Sequence, residues 1–281
     1  MRNRLTISIV AVLAVAAAGG VVNAPASAAV VIETGRFVWH DLMTRDVPAA
    51  RRFYGELLGW RFENVTRGDR PYVLARSGSD PVAGFVDINH YPDAGAQWIS
   101  FMAVDDVDKS VGVVQSAGGK VLVDARDLEP VARVAVVADP QGAPLGLARL
   151  WKDRPDMVKP VARQFFWDEY LARDAAQALD FYKRLAGYQS SISDTRLGVE
   201  YHVLQNSRKR AGLFQLPATA TNILPNWLPY ILVDDPQAVG ARVSGLGGQV
   251  ILPAAPERRN GTLVIIKDPS GAPLALQKYP Y

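Results

Sequence analysis

The chain has 281 residues, 49% of them hydrophobic and 21% charged, with 31 Lys and Arg against 28 Asp and Glu. It contains no cysteine, which excludes disulfides, thiolate metal sites and a cysteine nucleophile. No block of like charge could track a phosphate backbone, so the sequence gives no basis for a nucleic-acid partner.

Residues 1–28 have the layout of a secretory signal peptide: Arg2 and Arg4 make a basic start, Leu5 to Val22 is nearly all apolar, and Ala26-Ser27-Ala28 is a small-residue cleavage site. The competing reading is an uncleaved anchor, because 18 apolar residues just span a bilayer. Gly19, Gly20 and the cleavage site favour removal, and the lack of a Cys after the apolar run argues against a lipid anchor. Cleavage removes two arginines and no acid, so 31 − 2 leaves 29 basic against 28 acidic residues. The expected product is exported to the periplasm or beyond, nearly neutral, with no stable membrane span.

Phe37–Thr44 reads as a strand. Asp46 then caps a helix whose Val47, Ala50, Phe53, Tyr54, Leu57 and Leu58 recur at three- and four-residue spacing, and Gly59 stops it. Two or three strands are expected next, around Tyr72–Ala75 and Val82–Asp87. The pattern then restarts with strand Ile99–Val104, a helix from about Val107 to Ala117 ended by Gly118-Gly119, and strands near Lys120–Val123, Arg133–Ala138 and Pro144–Leu150. Between the last two, Asp139-Pro140-Gln141-Gly142 carries the preferences of a type I turn.

The whole passage then repeats. "FVWHDLMTRDVPAARRFYGELLGW" (37–60) aligns with "FFWDEYLARDAAQALDFYKRLAGY" (165–188) at an offset of 128, with nine of 24 positions identical. "WISFMAVDD" (98–106) aligns with "WLPYILVDD" (227–235), and "DPQGAPLGL" (139–147) with "DPSGAPLAL" (268–276), at an offset of 129. That period is far too long for a solenoid and implies two similar domains, at 29–150 and 164–281. The charged, proline-bearing stretch within 151–163 is the expected linker.

The strand, capping Asp, "FY" and "LG" of 39–59, closed by "DPQGAPLGL", resemble the vicinal oxygen chelate superfamily of glyoxalases, bleomycin-resistance proteins and extradiol dioxygenases. The resemblance covers 36–150 and 164–279 and implies an α+β fold. In it, two tandem glyoxalase-like domains are each built from a pair of βαβββ units that curl into an open mixed-sheet barrel around a cavity. It also implies, for metal-dependent members, His and Glu donors on the first and last strands of the units. Here the first-strand position is Trp39 and Trp167, the third-quarter strand has Ile99 and Leu228, and the last strand has Gly146 and Ala275. The strand closing the first unit places a residue near Asp87 and Gln215. At most one carboxylate remains per cavity, against the three or four donors a divalent cation needs, so no metal and no cofactor are expected. A one-residue slip would bring His40 inward, with Asp168 as its twin, but would still leave the last strand without a donor. His90 and His202 have no partner in pattern.

If Trp39 faces the cavity, alternation adds Phe37, Asp41 and Met43; in the second copy Phe165, Trp167, Glu169 and Leu171 share a face. Ile99, Phe101, Leu228 and Tyr230 complete the two walls. Each pocket then has a Trp, another aromatic and one acid two residues from the Trp, a composition suited to an apolar or aromatic small molecule. Asp41 and Glu169 are the candidate catalytic groups, as general bases or as anchors for a ligand hydroxyl or cation. The alternative is that the Trp side chains fill collapsed cavities and the acids pair with nearby arginines. "SRKR" (207–210) and "ERRNG" (257–261) read as solvated loops. Two functions stay open: a metal-free binding protein, and an enzyme (isomerase, lyase or dioxygenase) using Asp41, Glu169 or metal ligands placed elsewhere.

Overall fold

A computed structural model describes residues 33–67, 70–152, 159–194 and 200–279. The signal-peptide segment 1–28 lies outside the described residues.

The first half runs β1 (Phe37–Thr44), α1 (Val47–Leu58), β2 (Arg61–Arg67), β3 (Arg70–Ser77), β4 (Asp80–Asp87), β5 (Gln97–Ala103), α2 (Val107–Ser116), β6 (Lys120–Leu128), β7 (Ala132–Ala138) and β8 (Pro144–Leu150). The second half repeats it: β9 (Phe165–Ala172), α3 (Ala175–Ala186), β10 (Gln189–Asp194), β11 (Tyr201–Gln205), β12 (Lys209–Gln215), β13 (Asn226–Leu232), α4 (Pro236–Arg242), β14 (Gln249–Leu252), β15 (Leu263–Lys267) and β16 (Pro273–Gln277). Each half forms one eight-stranded mixed sheet, ordered β2-β3-β4-β1-β5-β8-β7-β6 and β10-β11-β12-β9-β13-β16-β15-β14. The two βαβββ units of a half meet where β1 lies antiparallel to β5, and β9 to β13. The sheets are open, since β2 and β6 do not pair with each other, nor β10 with β14.

Local chemistry sets the helices. Asp46, Asp106, Asp174 and Asp235 each accept a hydrogen bond from the backbone N–H three residues on, satisfying a donor the first helical turn leaves open. Gly59 and Gly187 end α1 and α3 at φ of 71° and 67°, a left-handed cap that glycine adopts without steric cost.

Each sheet has an inner and an outer face. In the first, Trp39, Tyr72, Val86, Ile99, Phe101, Val123, Val136 and Leu150 come from seven different strands yet form one buried cluster, which requires the sheet to curl around them. The outer faces carry the helices and pack the two halves together. The α1 residues Ala50, Phe53, Tyr54 and Leu57 share a core with Val264, Ile266, Leu274 and Leu276 of the second half. In return, α3 residues Ala178, Phe181, Tyr182 and Leu185 share one with Val114, Val137, Leu145 and Leu147.

One alternation expectation fails for a clear reason. Trp39 pairs with Phe101 but Phe37 with Met102, and Trp167 pairs with Tyr230 but Phe165 with Ile231, so Val38 and Phe166 are bulged. A bulge reverses the facing of everything before it. Phe37 therefore lies on the outer face, its ring 4.8 Å from that of Trp227, and Phe165 stacks on His40 at 3.9 Å.

Candidate functional site

The inner face of the first sheet is closed. Trp39 and Asp41, two residues apart on β1, point the same way as expected. The Trp39 indole N–H lies 2.8 Å from Asp41 Oδ1 and 3.1 Å from the Tyr72 hydroxyl, and Tyr72 donates to the same Asp41 oxygen at 2.8 Å. Gly84 makes room for this group, because a Cβ there would sit 1.5 Å from the Tyr72 hydroxyl oxygen. Asp41 and Ile99 are 0% exposed and Phe101 likewise, so all four first-domain candidates (Trp39, Asp41, Ile99 and Phe101) sit inside a packed core.

The second sheet uses the same parts differently. Trp167 donates to Tyr201 at 3.1 Å, and Gly212 leaves space for that ring as Gly84 does for Tyr72. Glu169 turns away from the pair. Its Oε1 accepts from the Tyr230 hydroxyl at 3.0 Å, and its Oε2 meets the Arg259 guanidinium at 2.5 Å. Arg259 also donates to Gln277 Oε1 at 2.9 Å and lies 5.2 Å from the ring centres of both Tyr201 and Tyr230. Burial and the neighbouring Glu169 carboxylate push the Tyr230 phenol well above its usual pKa, so it stays a proton donor.

This face is only partly filled. Among the described residues its buried apolar cluster is Leu228, Tyr230, Leu263 and Ala275, flanked by half-buried Phe166, Trp167, Leu171, Leu252 and Ile265. The strands explain the difference. β14 has four residues where β6 has nine, and the loop that follows β14 carries Arg259 onto the inner face in place of the missing wall. The expectation that "ERRNG" is merely a solvated loop is thus corrected at Arg259, whose side chain is only 18% exposed.

The family's metal positions do not fit a divalent ion. A Cβ on Gly146 would lie 2.2 Å from the Phe101 ring, so no carboxylate has a place there, and the second domain offers Trp167, Leu228 and Ala275. Asp87 is exposed and accepts from the Asn89 N–H; Gln215 donates to the Arg173 carbonyl. Among the described residues no three His, Asp or Glu converge. His40 faces outward: its Nε2 lies 3.0 Å from Asp168 Oδ1, which also accepts from Ser100 Oγ at 2.6 Å. His90 is exposed, and His202 lies 3.4 Å from Glu200.

Sequence reasoning missed Tyr72, Tyr201 and Arg259. The two tyrosines are twins at the 129-residue offset and were findable from it. Arg259 has no twin, and nothing local points it inward.

An open mixed sheet made of paired βαβββ units, repeated in tandem, defines a glyoxalase-like two-domain protein. Residues 36–147 match the family model described as glyoxalase/bleomycin resistance protein/dioxygenase superfamily. CFP32 of Mycobacterium bovis, a glyoxylase by name, is 31% identical over 248 residues, covering 85% of this chain and 93% of the relative. The anthracycline biosynthesis protein DnrV of Streptomyces peucetius is 30% identical over 256 residues, covering 85% and 91%. Among solved structures, the 2,2',3-trihydroxybiphenyl 1,2-dioxygenase of Sphingomonas wittichii superposes with a TM-score of 0.61 at 16% identity, covering 88% and 91%. The Mn(II)-bound glyoxalase of Novosphingobium aromaticivorans gives 0.58 at 14%, covering 88% and 82%; both are likenesses of fold. The chain belongs to the glyoxalase/bleomycin resistance protein/dioxygenase superfamily.

Proposed function

We propose that this protein binds a planar aromatic small molecule on the inner face of its second sheet, without a divalent ion. One observation carries the reading. Trp167 and Leu171 stay half-buried beside the polar group Glu169–Tyr230–Arg259, whereas the matching face of the first sheet is packed shut. An aromatic wall with a few fixed polar groups is the usual composition of a small-molecule site. The name of the relative DnrV, an anthracycline biosynthesis protein, supports a polycyclic ligand. Asp41 is fully buried with its donors at hand, which favours a structural role for it. Export is proposed on the sequence of residues 1–28; N-terminal sequencing of secreted protein should begin at or near Ala29.

The test is titration with an anthracycline aglycone, followed by intrinsic Trp fluorescence and by chromatography of the aglycone. Binding without conversion is expected, weakened 10-fold or more by Trp167→Leu, a loss typical of a buried aromatic anchor. Undiminished binding by that variant overturns the site. Conversion abolished by Glu169→Gln establishes the enzyme reading instead.

A further inference from the structure

The two inner faces end differently at the loop that joins one βαβββ unit of a half to the next. In the first half this loop, 88–96, runs from β4 to β5, and the strand residues flanking it, Val86 and Gln97, both pair with Met43. In the second half it runs over 216–225 from β12 to β13, and Phe214 and Asn226 both pair with Leu171. Each loop thus bridges the end of the central strand. The two backbones match at an offset of 129. The Tyr91 N–H donates to the Ile88 carbonyl and the Ala94 N–H to the Tyr91 carbonyl; Ala220 donates to Pro217, and Ile223 to Ala220, in the same way. Arg45 holds the Tyr91 and Ala94 carbonyls, and Arg173 those of Ala220 and Ile223. Ala220 is therefore the twin of Tyr91, and Ile223 that of Ala94.

The side chains on these matched backbones do not match. Tyr91 and Ala94 pack against the buried cluster of the first inner face, where Met43 is 1% exposed and Val86 7%. In the second half a methyl group replaces the Tyr91 ring. Leu171 and Phe214, the twins of Met43 and Val86, stay half-buried, and among the described residues neither Ala220 nor Ile223 packs on the apolar cluster of that face. Ile223 is instead 42% exposed and Leu224 76%. We infer that Ala220 sets the length of ligand that the second inner face accepts: it leaves open the end that Tyr91 plugs in the first, so the ligand's apolar end runs out over Leu171 and Phe214 to meet Ile223 and Leu224. This assignment rests on the inner-face site proposed above and gives that site a direction. The polar group Glu169–Tyr230–Arg259 holds one end of the ligand, and the apolar loop receives the other. Glu169 and Leu171 are two residues apart, about 7 Å along a strand, so a molecule that reaches from one to the loop is longer than a single aromatic ring. The ligand class is an elongated, ring-fused aromatic with its polar substituents towards one end.

The probe is the anthracycline aglycone, titrated into the full chain and followed by intrinsic Trp fluorescence, with the thermal midpoint of each variant measured alongside. Ala220→Tyr restores the plug of the first half and should weaken binding about 10-fold or more by occupying the ligand's space. Its thermal midpoint should not fall, because the loop lies at the surface. Leu224→Asp, at an exposed side chain, should weaken binding about three-fold or more with the midpoint unchanged. Thr219→Tyr puts the same ring one residue away, at an exposed position, and should change affinity less than about two-fold. If the wild type binds and Trp167→Leu weakens binding but Ala220→Tyr does not, the open end is overturned while the inner-face site stands. An equal loss with Thr219→Tyr overturns it in the same way. If the wild type does not bind the aglycone, or Trp167→Leu binds it equally well, the inner-face site falls and the role of Ala220 with it.

Discussion

The extra methylene of Glu169 relative to Asp41 changes which neighbours the carboxylate can reach. Asp41 is short, pairs with Ile99 on β5 while Phe101, two residues on, has no hydroxyl, and so accepts from Trp39 and Tyr72. Glu169 extends past the equivalent Trp167 and Tyr201 to Tyr230, the hydroxylated twin of Phe101, and to Arg259. Both members of the Glu169–Arg259 pair are mostly buried, so removing one leaves the other charge poorly solvated. Arg259→Met should cost about 2 kcal/mol or more in urea unfolding, and adding Glu169→Gln should recover most of it. If the double variant is as unstable as the single, the pair contributes little and the loop is held by other contacts. Gly146 gives a second test at this scale. With the Phe101 ring 2.2 Å from where its Cβ would be, Gly146→Ala should destabilise by about 1–3 kcal/mol. Its twin Ala275 already carries that methyl, so Ala275→Gly should not relieve a clash and should instead open a small void.

At the level of elements, what could be read in advance was what local chemistry controls. The Asp46 cap and the Gly59 stop of α1 are set within a turn of the residue itself and sit where the sequence puts them, and the repeat carries both to Asp174 and Gly187 on α3. Asp174→Ala should lower stability by about 1 kcal/mol, seen as a fall in thermal midpoint, with Asp174→Asn or Asp174→Ser nearly neutral. A full loss with Asn as well would mean that the carboxylate charge, and not the cap, matters. The third of the strands expected after α1, β2 (Arg61–Arg67), could not be placed because it is a polar edge strand without apolar alternation. The facing of Phe37 and Phe165 was hidden by bulges, which depend on the partner strand and leave no local mark. The inner-face residues of the second sheet were readable as a Trp-x-acid pair, but whether the face was full depended on the length of β14, a feature of the distant end of the chain.

Over the whole molecule, the repeated "DP-x-G" turn acquires a purpose that one half alone does not show. Asp139 Oδ1 accepts from the Gln141 and Ala143 N–H groups of its own turn, while Oδ2 accepts from Tyr182 of the other half at 3.0 Å. Asp268 does the same with Ser270, Ala272 and Tyr54. Trp98 and Trp227 donate to the same two tyrosine hydroxyls, so two equivalent Trp–Tyr–Asp chains cross the interface. Burial raises the Asp268 carboxyl above its ordinary value, against the pull of its hydrogen bonds. A raised native pKa means that the folded state binds this proton more tightly than the unfolded chain. Its contribution is present in acid, below the unfolded value, and is lost as pH rises through the native one. Asp268→Asn keeps the shape without the titration. Relative to wild type the variant should therefore gain stability as pH rises from the carboxylate range towards 7, as followed by urea unfolding at each pH. A difference that is flat in pH removes Asp268 as the cause.

The crossed helices make the two halves one cooperative unit. The apolar face of α1 is buried partly on β15 and β16, and that of α3 partly on β7 and β8. Even the close fit is shared, since a Cβ on Gly248 of the second half would lie 2.7 Å from the Phe53 ring of the first. A half cut at the stretch joining β8 to β9 would expose the apolar face of its own helix and the sheet surface meant for the other one. It would also leave Asp139 without Tyr182, or Asp268 without Tyr54, each an unpaired buried partner costing about 1–3 kcal/mol. Domain stabilities are only about 5–15 kcal/mol, so losing a shared core and its polar links removes most or all of it. Residues 29–281 should unfold in a single calorimetric transition whose van't Hoff and calorimetric enthalpies agree. Residues 29–152 expressed alone should show no sigmoidal melt, and mixing them with 159–281 should restore one. Two separate transitions in the full chain, or a cooperative melt of the isolated half, would show that each sheet carries its own core and that the interface is an accessory.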